Sequence, residues 1–135
     1  MVTLWYRAPE VLLGIPVYFT PIDIWSVGCI FAEIVTKQPL FMGDSQLDQI
    51  YRIFKTLGTP DKNLWQEFRN IIDSKEWQPI YDNQKQSLSD LITSQYIDEQ
   101  GMDLLKKMLV YDPCERITAK EALQHPYFYS ILNND

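Results

Sequence analysis

The sequence predicts an all-α fold, and three observations carry that prediction. Two Ser/Thr-x-x-acid patterns, Ser45 with Asp48 and Thr118 with Glu121, stand directly before segments of helical character. Helix stops recur in the right places: Gly58 and Pro60 after the first of these segments, His125-Pro126 after the second. No convincing pair of strands and no internal repeat occurs along the chain.

The first helix follows Thr20, a capping residue, with Pro21 in the first helical position and Asp23 near the N-terminal dipole. Its body, IDIWSVGCIFAEIV, is apolar on nearly every side, which predicts a helix surrounded by protein. Gly28 inside it costs about 1 kcal/mol relative to alanine, and the usual reason to accept that cost is close approach by another backbone. The second helix follows PLFMG: Leu47, Ile50, Tyr51, Phe54 and Leu57 keep helical spacing as far as Gly58. A third runs around Met102 to Tyr111 and ends at YDP; a fourth starts at Thr118 and stops at His125-Pro126. Between Gln66 and Gln95 the pattern weakens. DNQKQSLSD is polar without a sustained period, Trp77 and Tyr81 stand as isolated anchors, and irregular loops with short helical turns are expected there.

Bulk composition narrows the function. The 135 residues make one domain or part of one, and 46% apolar with 13% aromatic residues supply ample core. A formal charge of -6 argues against nucleic acid or an anionic membrane as the main partner. Cys29 and Cys114 lack CxxC spacing and read as small core residues of a reducing compartment rather than as a disulfide. With His125 the only histidine, a zinc site is not expected. The longest apolar stretch, from Ile22 to Val35, is interrupted by Asp23, Ser26 and Glu33 and falls short of the roughly 20 residues a membrane span needs. Together these features predict a soluble intracellular protein of the cytoplasm or nucleus.

The opening run, VTLWYRAPEVLLG, sets Arg7 and Glu10 among apolar and aromatic residues. Buried, each charge needs a partner; exposed, Leu4, Trp5, Tyr6, Val11, Leu12 and Leu13 form a patch that soluble domains avoid. The APE of this run, followed by DIWSVGC, LFMGDS, RIFKTLGTP and YDPCERITAKEALQHPYF, resembles the C-terminal lobe of eukaryotic protein kinases from the end of the activation segment onward. TLWYRAPE with GDSQLDQIYRIFKTLGTP is most similar to the cyclin-dependent kinases; mitogen-activated protein kinases share WYRAPE but usually carry Arg where Leu4 stands. The resemblance covers nearly the whole chain and makes residues 1–135 a partial kinase domain, with 66–95 a divergent loop-rich insert.

The resemblance implies roles for particular residues. Glu10 would pair with Arg116 of YDPCERIT, tying the activation segment to the last helices. Asp23 would anchor the catalytic loop, beside the simpler reading of a helix-dipole residue. Val2, Thr3, Leu4 and Arg7 would line the pocket for a proline just after the phosphorylated Ser or Thr. There Arg7 would satisfy a carbonyl near Val2, leaving no acceptor for a substrate N–H, which proline lacks. Ordinary apolar packing is the alternative for Val2 and Leu4. Gln46, Leu47, Asp48 and Tyr51 match the helix that docks a Cks-type subunit, though Leu47 and Tyr51 could equally pack on their own lobe.

The catalytic groups of the family are absent from this sequence: no G-x-G-x-x-G, no H-R-D and no D-F-G. Chemistry with ATP and Mg, and binding of a cyclin, would belong to the whole kinase. The chain itself is expected to hold no catalytic residue, cofactor or metal. A fragment, an incomplete gene model or a truncated product would each give such a sequence. Two functions compete: a non-catalytic module that docks a Cks-type subunit or substrates, and another kinase of the same group such as a mitogen-activated protein kinase.

Overall fold

The computed structural model describes residues 2–16, 21–61, 63–77 and 85–132. Behind a 3-10 turn at Val2–Tyr6, Pro9 and Pro21 each open a helix, α1 (Pro9–Leu12) and α2 (Pro21–Thr36). Proline suits that position, because its φ is preset and its missing N–H would have no intrahelical partner. The expected cap at Thr20 lies outside the described residues. Helix α3 (Gln46–Leu57) begins where the Ser45 hydroxyl accepts the Asp48 amide at 3.0 Å. The reciprocal bond is displaced by one residue: the Asp48 carboxylate takes the amide of Asp44, also at 3.0 Å. Gly58, at φ 94°, closes the helix with its N–H on the Phe54 carbonyl.

Two short helices occupy the stretch expected to be mostly irregular, α4 (Gln66–Ile72) and α5 (Leu88–Leu91). Ser87 and Asp90 give α5 both bonds of a capping box. Helix α6 (Glu99–Met108) starts three residues before the expected Met102, because Asp98 caps it by accepting the Gly101 amide at 2.7 Å. Helix α7 (Ala119–Leu123) carries both bonds of the Thr118–Glu121 box. His125-Pro126 ends α7, but Pro126 then opens a further helix, α8 (Pro126–Leu132), that was not expected. No strand occurs among the described residues, and the fold is all-α.

Helix α2 is the centre of the packing, set against the N-terminal turn and α6. Trp25, Cys29 and Ala32 meet Phe41, Ile50, Ile53 and Phe54 in the main core. A smaller cluster joins Ile24 to Leu104, Met108 and Ala122, with Phe31 and Tyr127 in ring contact at 5.3 Å. A Cβ on Gly28 would lie 2.9 Å from Leu109 Cδ2 and 3.0 Å from Met108 Cβ, so the close approach comes from side chains at the end of α6, not from a backbone. Two other expectations need correction. Helix α2 is not enclosed by the described residues: Val27, Ile30 and Ile34 are 45%, 47% and 70% exposed along one stripe. Cys114 is exposed rather than a core residue, while Cys29 is buried, and burial pushes its thiol up to about 12, so it stays protonated and inert.

His125 holds α6 to the α7–α8 junction. Its Nδ1 accepts the Tyr127 amide at 3.0 Å, which places the proton on Nε2, and Nε2 donates to Asp103 at 2.6 Å. Lys107 reaches the same carboxylate at 2.9 Å. The bonds from His125 and Lys107 hold the Asp103 carboxyl below its ordinary value of 3.8. A carboxyl held low when folded stabilises the fold fully above that ordinary value, and the contribution is lost as the pH falls through the depressed one. Chemical denaturation as a function of pH should therefore show a shallower acid limb below about pH 4 in Asp103→Asn than in the parent chain. Coincident slopes would contradict the assignment.

Candidate functional site

The N-terminal segment and the loop between α6 and α7 meet at a buried ion pair. Arg116 NH1 donates to Glu10 Oε2 at 2.8 Å and NH2 to Glu10 Oε1 at 3.0 Å, and neither side chain is solvent-exposed. The other three N–H groups of the guanidinium go to carbonyls: Nε to Val110 at 2.9 Å, NH1 to Pro21 at 2.7 Å and NH2 to Tyr111 at 3.3 Å. All five donors of the fork are thus used. The indole of Trp25 lies beneath, with the guanidinium carbon 5.3 Å from the ring centroid. One side chain fastens the first turn of α1, the first residue of α2 and the loop that follows α6.

Around this clasp the 3-10 turn is pinned by polar side chains. The Ser26 hydroxyl donates to the Tyr6 carbonyl at 2.8 Å, and the Tyr6 hydroxyl donates to Glu33 at 2.5 Å. That bond to the Glu33 carboxylate raises the Tyr6 pKa above 10.0. Gln49, wholly buried, links two segments: its carbonyl accepts the Gly43 amide at 2.7 Å and its amide donates to the Trp5 carbonyl at 3.3 Å. Trp5 in turn donates its indole N–H to the Gly43 carbonyl at 3.0 Å. A Cβ on Gly43 would lie 2.4 Å from the Gln49 side chain, so glycine is required for this approach. Gln49 was not singled out from sequence. Its one signal there is a polar residue one position before Ile50 on the packing side of an amphipathic helix.

The remaining sequence-predicted residues fall as follows. Leu4 is half-buried against the main core. Arg7 is exposed, its backbone N–H on the Leu4 carbonyl at 3.3 Å, and its guanidinium makes no hydrogen bond to the described residues. The side chains of Val2 and Thr3 lie outside the described residues. Asp23 is exposed at the rim of a cleft of about 600 Å³ between the start of α2 and the chain from Pro113 into the first turn of α7. On α3, the Gln46 amide donates to the Leu12 carbonyl, tying α3 to the end of α1. Burial opposes ionisation of Asp48, but bonds from Arg52 and the Asp44 amide prevail and hold its carboxyl below 3.8. Tyr51 stacks edge-on to Trp77 with centroids 5.7 Å apart, and Leu47 is half-buried. Three of these four α3 residues thus make contacts within the chain.

Residues 1–128 match the family model described as the protein kinase domain. The chain belongs to the protein kinase domain family. Among the described residues no group of three His, Cys, Asp or Glu is placed to hold a metal ion, and the sequence carries no Gly-rich phosphate loop. No helix among them is long and apolar enough to cross a membrane.

Proposed function

We propose that this chain is the substrate-side scaffold of a cyclin-dependent-type, proline-directed Ser/Thr protein kinase. The observation that carries the proposal is the bidentate hold of Arg116, from YDPCERIT, on Glu10, the glutamate of APE in TLWYRAPE. That pair fixes the end of the segment whose preceding residues, Val2, Thr3, Leu4 and Arg7, would meet the substrate. In this proposal Arg7 turns onto a carbonyl near Val2 in the assembled kinase, and Asp23 receives the catalytic loop. The exposed stripe of Val27, Ile30 and Ile34 supports the same reading, since an apolar face of that extent calls for covering protein. ATP, Mg and a cyclin would engage residues that this sequence does not carry. A Cks-type subunit would dock at the face of α3 that bears Leu47.

The test is a kinase assay of the gene's full-length product on paired peptides, Ser-Pro against Ser-Ala. An N–H left without an acceptor costs about 1–3 kcal/mol, so kcat/KM should favour Ser-Pro roughly 5- to 150-fold. Equal rates on both peptides would rule out proline direction.

A further inference from the structure

Arg52 and Lys55, three residues apart on the last two turns of α3, converge on one cleft. Its volume is about 160 Å³, and Thr56, Gln86, Leu40 and Leu91 complete most of its wall. Among the described residues no carboxylate lines it. Asp48 accepts the Nε proton of Arg52 at 2.8 Å, which leaves the four N–H groups on the terminal nitrogens. Lys55 is half-buried, and its ammonium has no acidic partner among the described residues.

The far wall is fixed in place. The backbone N–H of Gln86 donates to the Lys55 carbonyl at 3.4 Å, which sets the chain before α5 against α3. That bond also occupies one of the last-turn carbonyls, whose partial negative charge would otherwise oppose an anion.

The geometry points to an anion site for a phosphate monoester, carried on a phosphorylated side chain of a protein segment. A guanidinium fork beside a point-charge ammonium matches a phosphate dianion. The Thr56 hydroxyl and the Gln86 amide supply neutral donors. Leu40 and Leu91 offer apolar contact to the carbon that bears the phosphate. The cleft is too small for a nucleotide, because drug-sized ligands occupy about 300 Å³ or more.

Calorimetric titration of the full-length protein tests this. The probes are an alanine-rich peptide with a central phosphoserine, its unphosphorylated counterpart, and inorganic phosphate. The phosphopeptide should bind at least tenfold more tightly than either of the other two. Lys55→Gln and, independently, the exposed Arg52→Gln should each weaken it about tenfold or more, while Lys120→Gln leaves it unchanged; the unfolding curves of the variants report whether each is folded. Equal binding of the two peptides overturns the proposal, as does equal affinity in the parent and a folded variant of either cation. Inorganic phosphate binding as tightly as the phosphopeptide overturns the assignment to a protein segment.

Discussion

Arg116→Ala is expected to remove roughly 3–5 kcal/mol from the unfolding free energy, because it strands the Glu10 carboxylate in a site with no access to water. For a domain of this size that is a fall of roughly 10–25 °C in Tm. A charge-free replacement of both partners often costs nothing when a buried pair stands alone. Here it should not. Arg116 also donates to the carbonyls of Val110, Pro21 and Tyr111; Pro21 keeps its intrahelical partner as the first residue of α2, but an apolar pair would take the donor from Val110 and Tyr111. The double variant Glu10→Leu/Arg116→Met should therefore recover only part of the loss. Circular-dichroism melts of the parent, the single and the double variant decide this. An unchanged melting point in Arg116→Ala would remove the clasp as a stabilising element.

Phe54→Ala should cost a comparable amount, about 3–5 kcal/mol. Phe54 is fully buried and touches three rings edge-on: Phe68 at 5.2 Å, Trp77 at 5.8 Å and Tyr111 at 5.6 Å. These rings come from α4, the chain beyond it and the loop after α6, so the cavity would open where three segments depend on one side chain. The loss should also be local. Hydrogen exchange of the Phe68–Trp77 amides should speed up more than that of α2 relative to global unfolding. Uniform acceleration across the chain would show that α4 does not depend on this cluster.

What the sequence disclosed and what it withheld follow from the range of the interactions. Ser45 and Thr118 cap helices through bonds to amides three residues away, so the pattern and the structure share one scale. Helix α4 has no such signature. Phe68 is drawn in by Phe54, and a seven-residue helix is too short to declare itself by period. Helix α5 did carry its signal, Ser87 with Asp90, inside a polar stretch that hid it. Helix α8 was lost because Pro126 reads as a stop, although the same residue is a good first turn. In the candidate site, no local pattern joins Glu10 to Arg116; only the order of family motifs relates them. Gln49 was illegible for the opposite reason. A glutamine on a surface helix reads as solvated until the backbone groups it serves, at Gly43 and Trp5, are in view.

The clasp closes a span of 106 residues. Closure entropy grows only as the logarithm of that length, so distance along the chain is a minor cost; order of assembly is the larger consequence. Until Arg116 has been synthesised and the loop after α6 has formed, the Glu10 carboxylate has no partner and must stay hydrated. Val2–Leu13 is therefore synthesised well before its anchor at Arg116 and settles into the fold only after that anchor is in place.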